Sequence, residues 1–158
     1  FSGGMIQRVG IAQAMLNDPK ILILDEPTAN FDPDFKQDFL NVIMQFMESG
    51  KKSVIIASHI LDELDRIADY LIYLDKGELV YSGDIESFRD KYRIISGESY
   101  KVKLLKQEDI IHAEDRKYGT KALVVNHGYS KYDGALTVTV PTLEEFMYHY
   151  SKRGESVI

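Results

Sequence analysis

Apolar residues recur at Met5, Val9, Ala12 and Leu16, a spacing that places them on one helical face and predicts a helix from Gly3 to Asn17. Asn17-Asp18-Pro19 ends it, because a proline pushes the residue before it out of helical dihedrals. Lys20 to Asp25 is short and continuously apolar, the pattern of a parallel strand buried on both faces. Helical spacing returns from Asp34 to Ser49, with Phe35, Phe39, Val42 and Phe46 on one face and Gly50 as the stop. Ser53 to Ser58 reads as a second buried strand, and Leu61 to Ala68 as a short amphipathic helix. Leu71 to Leu74, a turn at Asp75-Lys76-Gly77, and Glu78 to Tyr81 predict a hairpin, followed by a helix from Asp84 to Tyr92. This alternation predicts an α/β layer with a mainly parallel sheet.

After Ser96-Gly97 the pattern changes. Tyr100 to Leu105, Ala122 to Asn126 and Ala135 to Val140 read as short strands of a half-exposed sheet, with Gly128 to Gly134 as a loop. Pro141-Thr142 opens a last helix, Leu143 to Tyr150, whose Glu144 and Glu145 complement the helix dipole. The expected organisation is a first domain over 1–95 and a small α+β appendage over 96–158.

The 158 residues are 44% hydrophobic, enough for a core at this length. The net charge of -6 argues against a broad nucleic-acid surface. No cysteine is present, which excludes disulfides and thiolate metal sites. No apolar run approaches the length of a membrane span. The chain opens on Phe1-Ser2-Gly3-Gly4 rather than Met, in the middle of a helix entry, and is expected to be a piece of a longer protein.

Three features carry possible chemistry. Ile21-Leu22-Ile23-Leu24-Asp25-Glu26-Pro27 places two acids at the C-terminal end of a buried strand, where open α/β sheets bind ligands. Asp25 could hold Mg²⁺, directly or through water, and Glu26 could polarise a water for attack on a phosphate; equally, the strand could simply end in polar residues. Ser2-Gly3-Gly4 at a helix start could receive a phosphate on free N–H groups, or be an N-cap serine with a flexible start. His59 follows the strand Val54 to Ala57 and could donate to a phosphate oxygen, although a lone histidine is more often structural. His112, His127 and His149 lack metal-ligand spacing, so no metal site is expected there. Lys51-Lys52 reads as a solvated turn. Tyr129, Tyr132, Tyr148 and Tyr150 read as packing residues of the appendage or of a partner surface.

The order of these features closely resembles the ABC (ATP-binding-cassette) ATPase family. Phe1-Ser2-Gly3-Gly4-Met5 matches the signature motif, and Gln7-Arg8-Val9 continues it. Ile21 to Asp25 matches the Walker B strand, Glu26 the catalytic glutamate, Asn30-Phe31-Asp32 the D-loop and His59 the switch histidine. The match runs from Phe1 to Gly83. Met5 and Phe1 depart from the usual Gln and Leu. No Gly-x-x-x-x-Gly-Lys-[Ser/Thr] phosphate loop occurs, and the Gln loop is missing too.

The resemblance implies a partial P-loop NTPase-type parallel sheet with flanking helices, lacking the phosphate-loop strand, plus the α+β appendage. In the family that strand lies between the strands Val54 to Ala57 and Leu71 to Leu74, so open edges and self-association of this chain are expected. It also implies Glu26 and His59 as catalytic, Asp25 as the Mg²⁺ residue, and Ser2, Gly3, Gly4 and Asp32 as nucleotide-binding. The implied cofactors of the intact subunit are ATP and Mg²⁺. The implied partners are a second ATP-binding subunit, whose ATP Ser2-Gly3-Gly4 would cover, and separate transmembrane permease chains; no nucleic acid is implied. The implied location is cytoplasmic, peripheral on the inner face of the cell membrane. Pro141-Thr142-Leu143-Glu144-Glu145-Phe146-Met147-Tyr148 is similar to a stretch in the C-terminal domain of drug- and peptide-resistance exporters. Without the phosphate loop this chain alone is expected to be inactive. A chromosome-structure or DNA-repair ATPase lobe is the alternative, since it shares the signature motif, Walker B strand and D-loop.

Overall fold

The computed structural model describes residues 2–129 and 136–155. Phe1, Tyr132 and most of the loop expected over Gly128 to Gly134 lie outside the described residues. The chain forms two compact units, Phe1–Ile67 and Ala68–Ile158.

In the first unit the order is α1 (Gly3–Met15), β1 (Ile21–Asp25), α2 (Pro33–Met47), β2 (Ser53–Ala57) and α3 (Leu61–Ile67). Asp18 takes a left-handed conformation ahead of Pro19, with φ 47°, which turns the chain out of α1 into β1. Asp32 caps α2 by accepting from the Phe35 N–H, and Pro33 sits where a helix needs no N–H donor. β1 and β2 pair in parallel, Ile21 opposite Ser53 and Asp25 opposite Ala57, so both strands end at the same sheet edge. Leu22, Leu24, Phe31, Phe39, Leu40, Ile43 and Phe46 form the core, with Ile11, Met15, Val54 and Ile56 against it. Burying each such side chain contributes about 1.5–3 kcal/mol.

Three expectations about faces are corrected. β1 is buried on one face only: Leu22 and Leu24 are inside, whereas Ile23 is 71% exposed and Ile21 and Ile55 are also open. A strand this apolar reads as doubly covered, but only one layer packs on it within the unit. In α1 the expected face of Met5, Val9 and Leu16 is exposed; Ile11 and Met15, about a third of a turn away, pack on the core. In α2, Leu40 and Ile43 are buried while Val42 is exposed. Lys52, expected in a solvated turn, forms an ion pair with Asp18 and lies over the Phe46 ring.

The second unit begins with the expected hairpin, β3 (Tyr70–Asp75) and β4 (Glu78–Asp84). Lys76 and Gly77 both have positive φ, 50° and 83°, as a two-residue primed turn requires. α4 (Ile85–Lys91), capped by Asp84, leads into β5 (Tyr92–Gly97). A short α5 (Ser99–Val102) and a 3-10 turn (Gln107–Asp109) precede β6 (Ile110–Arg116), β7 (Gly119–Val125), β8 (Leu136–Thr139) and α6 (Leu143–Ser151). β6, β7, β5 and β8 form an antiparallel sheet in that order. Among the described residues, parallel pairing is confined to β1 and β2.

Tyr100 to Leu105, expected as a strand, is helical and turn backbone instead, and the strand lies earlier, at β5. Val102 and Leu105, three residues apart, enter one core together with Ile95, Ala113, Ala122, Val124 and Tyr129, as one face of a helical turn does. β6 was not anticipated. The chain crosses tightly where β7 begins: a Cβ on Gly119, whose φ is 130°, would lie 2.2 Å from the Gly97 carbonyl oxygen. The boundary expected at 95/96 falls inside β5, which pairs with β7 and β8. α6 starts with a capping box, the Thr142 hydroxyl accepting from the Glu145 N–H and the Glu145 carboxylate from the Thr142 N–H. No helix among the described residues is long and apolar enough to cross a membrane.

Candidate functional site

The C-terminal ends of β1 and β2 bring Glu26 and His59 together across a sequence separation of 33 residues. The Glu26 N–H continues the ladder, donating to the Ala57 carbonyl at 2.8 Å. Immediately there the backbone turns sharply: Glu26 has φ 44°, a left-handed conformation unfavourable by about 1–2 kcal/mol for a residue with a Cβ. Pro27 and Thr28 bury behind it, and Gln7 of α1 donates to the Glu26 carbonyl at 2.6 Å.

The Glu26 carboxylate is gathered from three sides. The His59 ring Nδ1 lies 2.8 Å from Oε1, the His59 N–H donates to the same oxygen at 3.2 Å, and the Ser58 hydroxyl donates to Oε2 at 3.3 Å. The His59 ring hydrogen bond is the chief cause holding the carboxyl below its ordinary value, against the opposing effect of burial. The group therefore stays ionised to a lower pH than an ordinary glutamate. Glu26 is partly exposed and His59 largely so.

The Nδ1 of His59 faces Glu26. With Nδ1–H donating to the carboxylate, Nε2 can also donate only in the imidazolium form. A neutral ring would have to change tautomer or leave Glu26 to serve a phosphate. Asp25 ends β1 with an exposed side chain beside this pair. A single carboxylate is a suitable oxygen donor for a hard cation such as Mg²⁺. Among the described residues no group of three or more potential ligands assembles, so Asp25 would supply one donor and water or phosphate the rest.

Ser2, Gly3 and Gly4 start α1. The Ser2 hydroxyl accepts from the Met5 N–H at 3.3 Å, an N-cap. Gly4 has a packing role as well: a Cβ there would meet the Asn30 carbonyl oxygen at 2.9 Å. Asp32 is engaged at both oxygens, with the Phe35 N–H at 2.9 Å and Arg8 at 2.8 Å. The Phe35 N–H is the first cause of its lowered pKa. The Arg8 guanidinium also lies over the Phe35 ring, 3.6 Å from its centre. Gln7, Arg8 and Ser58 thus tie the start of α1, the 26–32 segment and the end of β2 to one another. Sequence reasoning gave none of the three a role; Arg8 and Asp32 carry opposite charges, but nothing at a separation of 24 residues says that they meet.

The family described as ABC transporter matches residues 1–29. A putative ABC transporter ATP-binding protein of Mycoplasma pneumoniae is 42% identical over 83 residues, 52% of this chain and 26% of that protein. The energy-coupling factor transporter ATP-binding protein EcfA2 of Streptococcus pyogenes is 37% identical over 83 residues, 52% of this chain and 29% of its own length. Among solved structures, a dimeric post-hydrolysis state of an ATP-binding cassette bound to ADP and Pi superposes with a TM-score of 0.50 and 29% identity. That superposition covers 54% of this chain and 36% of the other. The chain spans about a quarter of the length of the curated relatives it matches. These relatives do not favour the chromosome-structure or DNA-repair alternative. Over this matched half, the chain is similar to ABC transporter ATP-binding proteins.

Proposed function

We propose that this chain is part of the ATP-hydrolysing, energy-coupling subunit of an ABC membrane transporter of the exporter type, with its N-terminal part in the ATPase domain and its C-terminal part an accessory domain. The observation that carries the catalytic reading is the turn at Glu26, which sets an ionised carboxylate at the end of β1 beside His59. In the intact subunit Glu26 accepts the proton of the attacking water. His59 orients that carboxylate through Nδ1 and, in its imidazolium form, donates from Nε2 to the transferring phosphate. Asp25 holds Mg²⁺, directly or through water, and when bound the ion neutralises charge on the phosphates. The exporter reading rests on the Pro141 to Tyr148 stretch, whose Thr142 and Glu145 make the capping box of α6. The subunit works beside a second copy and separate permease chains, on the cytoplasmic face of the membrane.

Ser2-Gly3-Gly4 covers the ATP held by the partner subunit. Ser2→Arg in the full-length subunit is then expected to spare nucleotide binding by the monomer while blocking ATP-driven dimerisation, read by size-exclusion chromatography. Loss of monomer binding with the fold intact would place the motif in cis. Gly4→Asp is a poorer probe, because its Cβ also meets Asn30.

The 158-residue chain alone is expected neither to hydrolyse ATP nor to bind it better than about millimolar, equivalent to about 4 kcal/mol. It lacks the phosphate loop whose lysine and N–H groups cradle the phosphates. Asp25 and Glu26 repel a polyanion, and His59 is already engaged with Glu26. Calorimetric titration with Mg-ATP measures this directly; micromolar affinity would reveal a nucleotide site elsewhere in the chain. Self-association through the open edges of β1 and β2 is expected of the chain in isolation.

A further inference from the structure

His112 and His149 are 37 residues apart in sequence and meet in the second unit, His112 on β6 and His149 on α6. Both are almost fully buried, 3% and 1% exposed, and their Nδ1 atoms are 2.8 Å apart. At that distance one nitrogen donates and the other accepts, so the contact holds a single shared hydrogen. We propose that this pair is a proton-operated latch that fixes α6 on the sheet and releases it in mild acid.

A proton added at the free Nε2 of the donating ring would place charge in a site almost shut off from solvent, and a proton on each ring would also put two N–H groups head to head. The charged groups facing the pair do not offset it. β6 contributes Glu114 and Arg116, β7 contributes Lys121, and α6 contributes Glu145 and Tyr148, with Lys152 and Glu155 just beyond. Glu114 favours a positive ring, but Arg116 and the Tyr148 hydroxyl already hold its carboxylate. Lys121 donates to Glu145 at 2.6 Å, a further tie between α6 and the sheet.

Burial, followed by the neighbouring His112, pushes His149 down to about 4, and burial also lowers His112. A depressed folded-state pKa means that the unfolded state binds more protons between the two values. The stability this contributes is complete above pH 6.5 and is lost as pH falls toward 4. Glu114 and Glu145 titrate outside the interval from pH 6.5 to 5, below the ordinary glutamate value. Burial pushes both upward but is outweighed by hydrogen bonds, chiefly from Arg116 and Lys121 respectively, so both stay below the ordinary glutamate value. The interval from pH 6.5 to 5 is therefore where the histidines act alone.

Native-state hydrogen exchange on the 158-residue chain at pH 7 and pH 5, corrected for intrinsic rates, tests the latch. Opening of the Leu143–Ser151 amides is expected to rise on the order of tenfold at pH 5, with a smaller rise in β5 and β7. The doubly substituted chain, His112→Gln with His149→Gln, is expected to lose that dependence. Should it not fold, proton NMR of the unaltered chain gives the same answer, because both rings should titrate below the ordinary histidine value, His149 at about 4. Unchanged protection of α6 between pH 7 and 5 overturns the proposal, as do two rings that titrate near 6.5.

Discussion

Replacing Glu26 by glutamine in the full-length subunit is expected to lower ATP turnover by at least about a hundredfold while leaving nucleotide binding in place. The amide keeps the volume of the side chain, and its carbonyl can still accept from Ser58 or the His59 N–H. It has no lone pair basic enough to take a proton from water, so the loss falls on the chemical step, at least about 2.7 kcal/mol of transition-state stabilisation. ATP that is bound but not cleaved should then hold two subunits together. Steady-state phosphate release gives turnover, and equilibrium binding of a fluorescent ATP analogue shows that the site survives. Turnover within a few-fold of the unaltered subunit would remove Glu26 from the catalytic role and leave its contacts with His59 as architecture.

The second large effect concerns stability. Phe146 of α6 is 1% exposed and lies within 4.7–5.5 Å, ring centre to ring centre, of Tyr73, Phe88, Tyr92 and Tyr150. Four aromatic rings from four elements close on it, and they cannot collapse into the space that alanine would leave. Phe146→Ala is therefore expected to destabilise the second unit by about 3–5 kcal/mol. All ten tyrosines lie in that unit and the chain has no tryptophan, so intrinsic fluorescence during urea denaturation reports on it alone. Tyr118→Ala is the control: that ring is 87% exposed and its loss should change stability by less than about 0.5 kcal/mol. A shift below about 1 kcal/mol for Phe146→Ala would mean that the aromatic nest can repack.

Much of the layout was legible because local signals agreed with one another. Pro19, the apolar run before Asp25, the Asp75-Lys76-Gly77 turn and the Pro141-Thr142 entry each mark an element that forms where expected. What failed was assignment of faces. Ile21, Ile23 and Ile55 are as apolar as Leu22 and Leu24, so composition could not say which side of β1 and β2 would be covered within the unit. The same ambiguity misplaced the buried side of α1. The Tyr100 to Leu105 stretch suits a strand by residue type, but Val102 and Leu105 reach the core with helical spacing, and that tertiary demand prevailed. In the candidate site the residue types were visible and their pairings were not. Glu26 with His59, Arg8 with Asp32, and His112 with His149 each join residues more than 20 positions apart, and only the folded register fixes which meets which.

The left-handed turn at Glu26 bears on how this chain would respond to selection. Glycine or asparagine would adopt that backbone with less strain, by about 1 kcal/mol. A library screened only for thermal resistance would therefore tend to replace the proposed catalytic group, whereas one screened for turnover would keep it. Position 26 is thus a point where stability and activity pull a single codon in opposite directions.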